Sequence, residues 1–376
     1  MHLEFLFYMR AVPQLLTHRD FIKIDKDYEA AASVVNLSYV SDKAEGIKRV
    51  KKGKGFTYTY KGKPIKDPET LERIKKLVIP PAWTNVWICP SADGHIQATG
   101  YDLRKRKQYR YHNRWSAIQQ ETKFHRIYEF GKALPALRAQ MQKDLAQPGF
   151  PESKVMAMVL SLMERTFIRI GNEGYEKLYG SYGLTTLKNN HVDIKGDEVT
   201  FSFKGKKGVH HNVKLKSKKF AKIIRQCKAI PGKELFHYYD DNGVLRKIDS
   251  GQVNQYLKNC LSMDFTTKDF RTWAGTLSML EALKSATECT TQAEYQKNII
   301  AAMQQVSKKL GNTVAVCKKY YVHPELVNMY KSKTLADFLR TDKLTEGEKQ
   351  YGLNSEEEVL MKILKVIQKS KTEILC

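Results

Sequence analysis

Carboxylates are in short supply in this sequence. Forty Asp and Glu face 64 Lys and Arg, which leaves a formal net charge of +24. Such an excess disfavours basic partners and favours a polyanion, met by fast and salt-sensitive association. No stretch is long and apolar enough to span a bilayer and no lipidation signal is present, so DNA and RNA stand ahead of an anionic membrane. The opening "MHLEFLFYMRAVPQLL" is apolar but short, meets Glu4 early and lacks a charged leading region. It is not read as a signal peptide, and Met9 is a second possible start. Cysteine is sparse and scattered, at Cys89, Cys227, Cys260, Cys289, Cys317 and Cys376, with no CxxC and no histidine at finger spacing. That argues against zinc and for reduced thiols in a cytoplasmic chain. Internal repeats and low-complexity tracts are absent too. With 376 residues, 42% of them hydrophobic, there is material for one large domain or two.

The front of the chain reads as sheet. Residues up to about 55 are polar or irregular with short helical patches. "GFTYTYKGKPI" alternates and turns on Gly62, as a hairpin does. "DPETLERIKKLVIPP" opens with a capping residue and Pro68 and stops before Pro80 and Pro81, the marks of one short helix. "VWICPSADGHIQATG" reads as strand, turn, strand. Next comes "YDLRKRKQYRYHNRW", where Arg104, Lys105, Arg106, Lys107, Arg110 and Arg114 crowd around Tyr109 and Tyr111 with no acid after Asp102. Lysines alone would suggest a solvated charge run. Arginine alternating with tyrosine suits phosphates and sugar or base faces better, which favours a nucleic-acid surface.

From about Trp115 helical patterns dominate. In "ESKVMAMVLSLMERTFIRIG", Val155, Val159, Leu162 and Thr166 recur at helical spacing, and Arg169 closes the helix just before Gly171. A β-rich insert follows, with Val199, Phe201 and Phe203 on one strand face and a tight turn from Gly205 to Gly208 that carries Lys206. Later helices include "TKDFRTWAGTLSMLEALKSA", with Arg271 near its start, where a cation is disfavoured unless an anion is close. Thr313 caps a short helix expected to run through Tyr320 and Tyr321 until His323-Pro324 stops it. The tail from Asn354 is a further amphipathic helix. Singly, each of these cations has a structural explanation. Together with a helical tyrosine in a basic chain, they outline a phosphoryl-transfer site, with Tyr320 and Tyr321 both open as the nucleophile.

Five ordered segments resemble the type IB DNA topoisomerases of the poxvirus and bacterial kind. "FIRIGNEGY" with "YGLTTLKNNHV" is similar to the family's first catalytic arginine segment, giving Arg169. "FSFKGKKGVHH" is similar to its lysine hairpin, giving Lys206, and "TTKDFRTWAGT" to its second arginine segment, giving Arg271 with Lys268 ahead of it. "KLGNTVAVCKKYYVHP" resembles the nucleophile segment, and the family's spacing from Asn312 selects Tyr321 over Tyr320. "IPPAWTNVWICPSADGHIQATGYDLRKRKQYRYHNRW" resembles the small DNA-clamping domain, in which Gln108, Tyr109 and Tyr111 match DNA contacts, as Tyr175 does further on. The likeness runs from roughly residue 55 to 340. One departure stands out: the poxvirus pattern has histidine where this chain has Asn312, which can donate a hydrogen bond but neither titrate nor carry charge.

The resemblance implies an α+β chain. A small β-rich DNA-clamping domain (1–117) precedes a mainly helical catalytic domain (118–376) with a β-hairpin insert and a helical tail, in the fold shared by type IB topoisomerases and tyrosine recombinases. It implies relaxation of supercoiled DNA through a 3′-phosphotyrosyl intermediate, without ATP, essential metal or other cofactor. The partner implied is double-stranded DNA, wrapped by both domains of a monomer in the nucleoid of a bacterial cytoplasm. Tyr321 would attack, Arg169 and Arg271 would stabilise the phosphate, and Asn312 would donate to it. Lys206, helped by Lys268, would protonate the leaving oxygen. Arg104, Arg106 and Arg110 would add phosphate contacts. A tyrosine recombinase, with HxxR where this chain has "KDFR", and a non-catalytic DNA-binding protein are the alternatives.

Overall fold

The computed structural model describes residues 14–53, 55–261, 263–287, 289–339, 352–369 and 372–374. Met9, most of the apolar opening and Cys376 lie outside them. The chain divides into two compact units: the described residues up to Arg126 together with those from Gln368 on, and Ile127–Ile367.

In the first unit, β1 (Gln14–Leu16), α1 (His18–Ile24) and α2 (Tyr28–Val34) precede the sheet. Thr17 and Asp20 cap α1 reciprocally. Phe21, Ala31, Ala32 and Val35 gather into a small core with Trp115 and Ile118. The sheet has six antiparallel strands in the order β4-β3-β2-β5-β6-β7. They are β2 (Ile47–Lys52), β3 (Gly55–Tyr60), β4 (Lys63–Pro64), β5 (Thr84–Ile88), β6 (Ile96–Tyr101) and β7 (Lys107–Tyr111), with α3 (Pro68–Lys76) between β4 and β5. Ile47, Ile74, Val86, Ile88 and Ala98 form its core. The strand β2 falls within the stretch expected to be irregular. "IKRVKK" has only two apolar residues among lysines and arginine, so its pairing with β3 and β5, rather than any alternation, makes it a strand.

The helix α4 (Asn113–Leu145) contains the point where the two units divide. The second unit is mainly helical: α5 (Glu152–Thr166), α6 (Glu173–Tyr179), then a three-stranded sheet of β8 (Val192–Lys195), β9 (Glu198–Lys204) and β10 (His210–Lys216). On β9, Val199, Phe201 and Phe203 are all buried, each contributing on the order of 1.5–3 kcal/mol. There follow α7 (Lys218–Ala229), the hairpin β11 (His237–Tyr239) and β12 (Leu245–Lys247), α8 (Ser250–Leu261), α9 (Thr267–Lys284) and α10 (Gln292–Leu310). The chain continues through α11 (Val314–Tyr320), α12 (Pro324–Lys331), α13 (Ala336–Leu339) and α14 (Ser355–Ile367). Most of α5 and most of α9 are buried. A last strand, β13 (Thr372–Ile374), pairs with β1.

Candidate active site

A cleft in the second unit is lined by Arg169, Lys206, His211, Asn312, Tyr320 and Tyr321, among others. Arg169 does not close a helix, as its sequence context suggested. The helix α5 ends at Thr166, whose hydroxyl donates back to the Leu162 carbonyl at 2.6 Å. Phe167 then takes the left-handed conformation at φ 57°, and the chain runs on to pair with Leu184 and Thr185. Their N–H groups donate to the Arg169 and Ile170 carbonyls at 2.8 and 2.6 Å. The guanidinium is therefore aimed inward by backbone pairing. Its Nη2 donates to Asn312 Oδ1, and to the Gly311 carbonyl at 3.3 Å.

Arg271 enters from the first turns of α9 and is only 5% exposed. Its Nη1 donates to the Phe167 carbonyl, and its Nη2 to the Leu310 carbonyl at 2.8 Å. Those carbonyls belong to the C-terminal ends of α5 and α10. Both are orphan acceptors at the negative end of a helix dipole. Two helix ends thus supply what the start of α9 cannot. Arg271 Nε is buried and has no hydrogen-bond partner among the described residues, and its guanidinium carbon lies 5.1 Å from the Tyr321 ring centroid. Burial first, then the Arg271 charge, lowers the Arg169 guanidinium to about 10, while the Tyr321 phenol pulls the other way. Arg169 still keeps its charge at neutral pH. Cys317, fully buried one turn before Tyr321, is pushed up to about 11 by burial and stays a neutral thiol.

Asn312 follows Gly311, the left-handed cap of α10 at φ 58°. Arginine only donates, so Asn312 presents Oδ1 to Arg169 and keeps Nδ2 as a donor. Nδ2 reaches the Leu310 carbonyl at a long 3.4 Å. The helix α11, capped by Thr313, ends at Tyr320 rather than running through both tyrosines. The N–H groups of Tyr321 and Val322 both turn back to the Cys317 carbonyl, at 2.9 and 3.0 Å. Tyr320 is 42% exposed on the helix, whereas Tyr321 sits just past it and packs partly against the core.

Two residues of α9 that sequence reasoning passed over fix the Tyr321 backbone. Thr276 Oγ1 receives the His323 N–H at 3.2 Å, and its single proton is shared between the Thr272 carbonyl at 3.0 Å and the Tyr321 carbonyl at 3.2 Å. A methyl group on Gly275 would stand 2.5 Å from that same carbonyl oxygen. The Trp-Ala-Gly-Thr run after Arg271 was the available signal, since glycine inside an apolar helix marks a close approach.

Lys206 is exposed in the single turn between β9 and β10. Its Nζ lies 5.9 Å from the ring centroid of Tyr175, which is itself 43% exposed on α6. Lys268 is exposed at the start of α9 and is not among the residues lining the cleft.

The basic patch belongs to the first unit and spans the turn before β7, β7 itself and the start of α4. Tyr109 and Tyr111 are exposed and stacked, with ring centroids 5.7 Å apart. Gln108 and Arg110 alternate with them. Asp102 organises the turn before β7. Its carboxylate accepts from the Arg104 and Arg106 N–H groups at 2.9 and 3.0 Å, and from Arg106 Nε and Gln108 Nε2 at 2.8 and 3.0 Å. Arg110 donates to the Val78 carbonyl at 2.9 Å.

Comparison with known proteins agrees along the chain. Residues 112–346 match the family described as eukaryotic DNA topoisomerase I, catalytic core. Residues 55–102 match bacterial DNA topoisomerase IB, N-terminal domain. The chain is similar to DNA topoisomerase 1B of Acanthamoeba polyphaga mimivirus, 34% identical over 296 residues that cover 77% of this chain and 88% of the relative. It is also similar to DNA topoisomerase I of monkeypox virus and DNA topoisomerase 1B of vaccinia virus. Each is 25% identical over 300 residues, covering 76% of this chain and 90% of the relative.

Proposed function

The chain belongs to the type IB DNA topoisomerases, which relax supercoiled DNA through a 3′-phosphotyrosyl intermediate, and we propose that Tyr321 is the residue that attacks. The Tyr321 phenol yields its proton to water as its oxygen bonds to phosphorus, and the 5′ oxygen leaves with a proton from Lys206. The freed strand rotates about its intact partner, and the 5′-hydroxyl attacks back, returning its proton to Lys206 as the phenol is released. The phosphotyrosyl ester conserves the phosphodiester bond energy, so no nucleotide is needed.

The observation that carries this reading is the guanidinium of Arg271 over the Tyr321 ring, beside an Arg169 already joined to Asn312. The attack gathers negative charge around phosphorus, and the cations beside the ring offset it. Arg169 and the unpartnered Nε of Arg271 stabilise the charge that develops on the non-bridging oxygens, and Asn312 Nδ2 adds a neutral donor. Lys206 donates its ammonium proton to the 5′ oxygen as the P–O bond breaks. Its exposure on a turn suits a group that must reach a bridging atom. Lys268 is the secondary cation.

Residues 1–117 act as the DNA-clamping domain and 118–376 as the catalytic one. Double-stranded DNA is gripped by both in a monomer that works in the nucleoid of a bacterial cytoplasm. Tyr109, Tyr111 and Tyr175 supply ring contacts, and Gln108, Arg104, Arg106 and Arg110 supply polar ones.

Plasmid relaxation without ATP or magnesium tests the activity. Tyr321→Phe should abolish relaxation and covalent DNA capture, and Tyr320→Phe should keep both. Mapping the DNA-linked peptide after proteolysis decides between them: a link at Tyr320 overturns the assignment.

A further inference from the structure

His211 has no place in the mechanism above, yet it faces the same cleft. It lies on β10 directly across from Phe203, and the two rings stack at 5.1 Å with 13° between their planes. The opposite edges of the imidazole lie against two glycines. A methyl group added at Gly205 would stand 2.5 Å from His211 Cδ2 and 2.6 Å from Nε2. One added at Gly311 would stand 2.5 Å from Cε1 and 3.2 Å from Nδ1. The ring is thus a wedge between two backbone segments. Each of those glycines immediately precedes a residue of the site, Lys206 in one case and Asn312 in the other.

The lysine turn is braced within itself. Gly205 N–H donates to the Val209 carbonyl at 2.7 Å, Gly208 N–H donates to the Gly205 carbonyl at 3.1 Å, and Lys207 is left-handed at φ 64°. A turn closed in this way moves as a unit, so the contact at Gly205 determines where Lys206 starts.

From this wedge we infer that His211 is a positioning residue. It holds the Lys206 turn at a set separation from the Gly311–Asn312 segment, so that the ammonium proton reaches the leaving 5′ oxygen while Asn312 stays on the phosphate. The inference rests on the leaving-group role given to Lys206. The imidazole acts by shape and stays neutral. Burial, with the charges of Arg169, Arg271 and His210, holds it below its ordinary range, and Lys206 and Lys207 of the turn add further cations around the cleft.

The test is single-turnover cleavage of a DNA duplex at saturating enzyme, with an ordinary phosphodiester and with sulfur at the 5′-bridging position. Sulfur leaves without needing protonation. His211→Ala should slow cleavage of the ordinary substrate by about 10²-fold, the usual consequence of a small misplacement of a reacting group, and sulfur should restore most of that loss. Gly205→Ala keeps the ring and drives a methyl into it. It should show the same defect and the same recovery, and the double variant should be faster than either single one. Gly205→Ala also answers the case in which His211→Ala fails to fold. Wild-type rates for both single variants, or equal losses on both substrates, overturn the inference. Lys206→Ala, run alongside, separates the two layers. If sulfur restores Lys206→Ala but not His211→Ala, the positioning role alone fails. If sulfur restores neither, the leaving-group assignment fails and takes the positioning role with it.

Discussion

The Arg271 guanidinium carbon stands 5.1 Å from the centre of the Tyr321 ring while its fork is spent on the Phe167 and Leu310 carbonyls. The arginine is therefore oriented before any substrate arrives. Lysine could supply the charge but cannot span two carbonyls and still face a ring. Arg271→Lys should accordingly lose cleavage much as Arg271→Ala does, measured as single-turnover cleavage at saturating enzyme. A lysine variant within a few-fold of wild type would show that charge alone suffices.

Asn312 can be tested by separating its two atoms. Asn312→Ala should cost about 3 kcal/mol, or roughly 10²-fold in cleavage rate, as a missing oxyanion donor does. Asn312→Asp keeps the acceptor for Arg169 but removes the Nδ2 donor, so it should fall at least as far. Asn312→His, which retains a ring N–H, should keep substantial activity. Arg169→Ala should cost more than Asn312→Ala, because it removes charge as well as donors. An Asn312→Ala enzyme as fast as wild type would put this position outside the working site.

Gly275→Ala places a methyl 2.5 Å from the Tyr321 carbonyl oxygen and 2.8 Å from its Cβ. Alanine favours helix over glycine by about 1 kcal/mol, so α9 itself should persist. The Tyr321 segment must shift, and cleavage should drop by about 10²-fold with DNA affinity unchanged. Circular dichroism checks the helix and filter binding the affinity; unimpaired cleavage would mean that the Tyr321 segment yields freely.

Replacing Arg104, Arg106 and Arg110 together with alanine should weaken DNA binding and flatten its salt dependence by about 0.9 in slope for each phosphate no longer neutralised. Cleavage at saturating DNA should stay near normal. An unchanged salt slope would return this stretch to an ordinary solvated surface.

His125 predicts an acid limit for the first unit. Its ring stacks on Phe21 and its Nδ1 meets His18 Nδ1 at 3.1 Å. Burial, and then the His18 charge, lowers it from 6.5 to about 4. Between those values the unfolded chain binds more protons than the folded one, so stability is full above about 6.5 and is lost as pH falls through about 4. Urea midpoints across that range should fall more steeply for wild type than for His125→Phe. Parallel slopes would assign the acid loss to other groups.

Much of this architecture was legible in the sequence, because local signals agreed with tertiary ones. Asp67 with Pro68 and the buried alternation of Val199, Phe201 and Phe203 each mark an element that formed where its pattern lies. The illegible parts are those decided by distant partners. Lysines conceal β2, whose strand character comes from its neighbours. The apolar period of α5 continues past Thr166, but pairing with Leu184 and Thr185 extends the chain there. Tyr321 leaves its helix through bonds to Cys317. The wedge of His211 between Gly205 and Gly311 joins residues about a hundred positions apart, and no local pattern announces it.

The hold of Gly275 and Thr276 on the Tyr321 backbone acquires a mechanical meaning if DNA is attached at Tyr321 as proposed. A covalently held strand end is a tether, and torque released by the swivelling duplex pulls on whatever anchors it. Here the anchor is a helix with most of its surface inside the largest core, so the load enters a stiff body and not a loop. On the proposed assignment Tyr321 is a fixed post, and only the long side chain of Lys206, on its exposed turn, has to reach the returning hydroxyl.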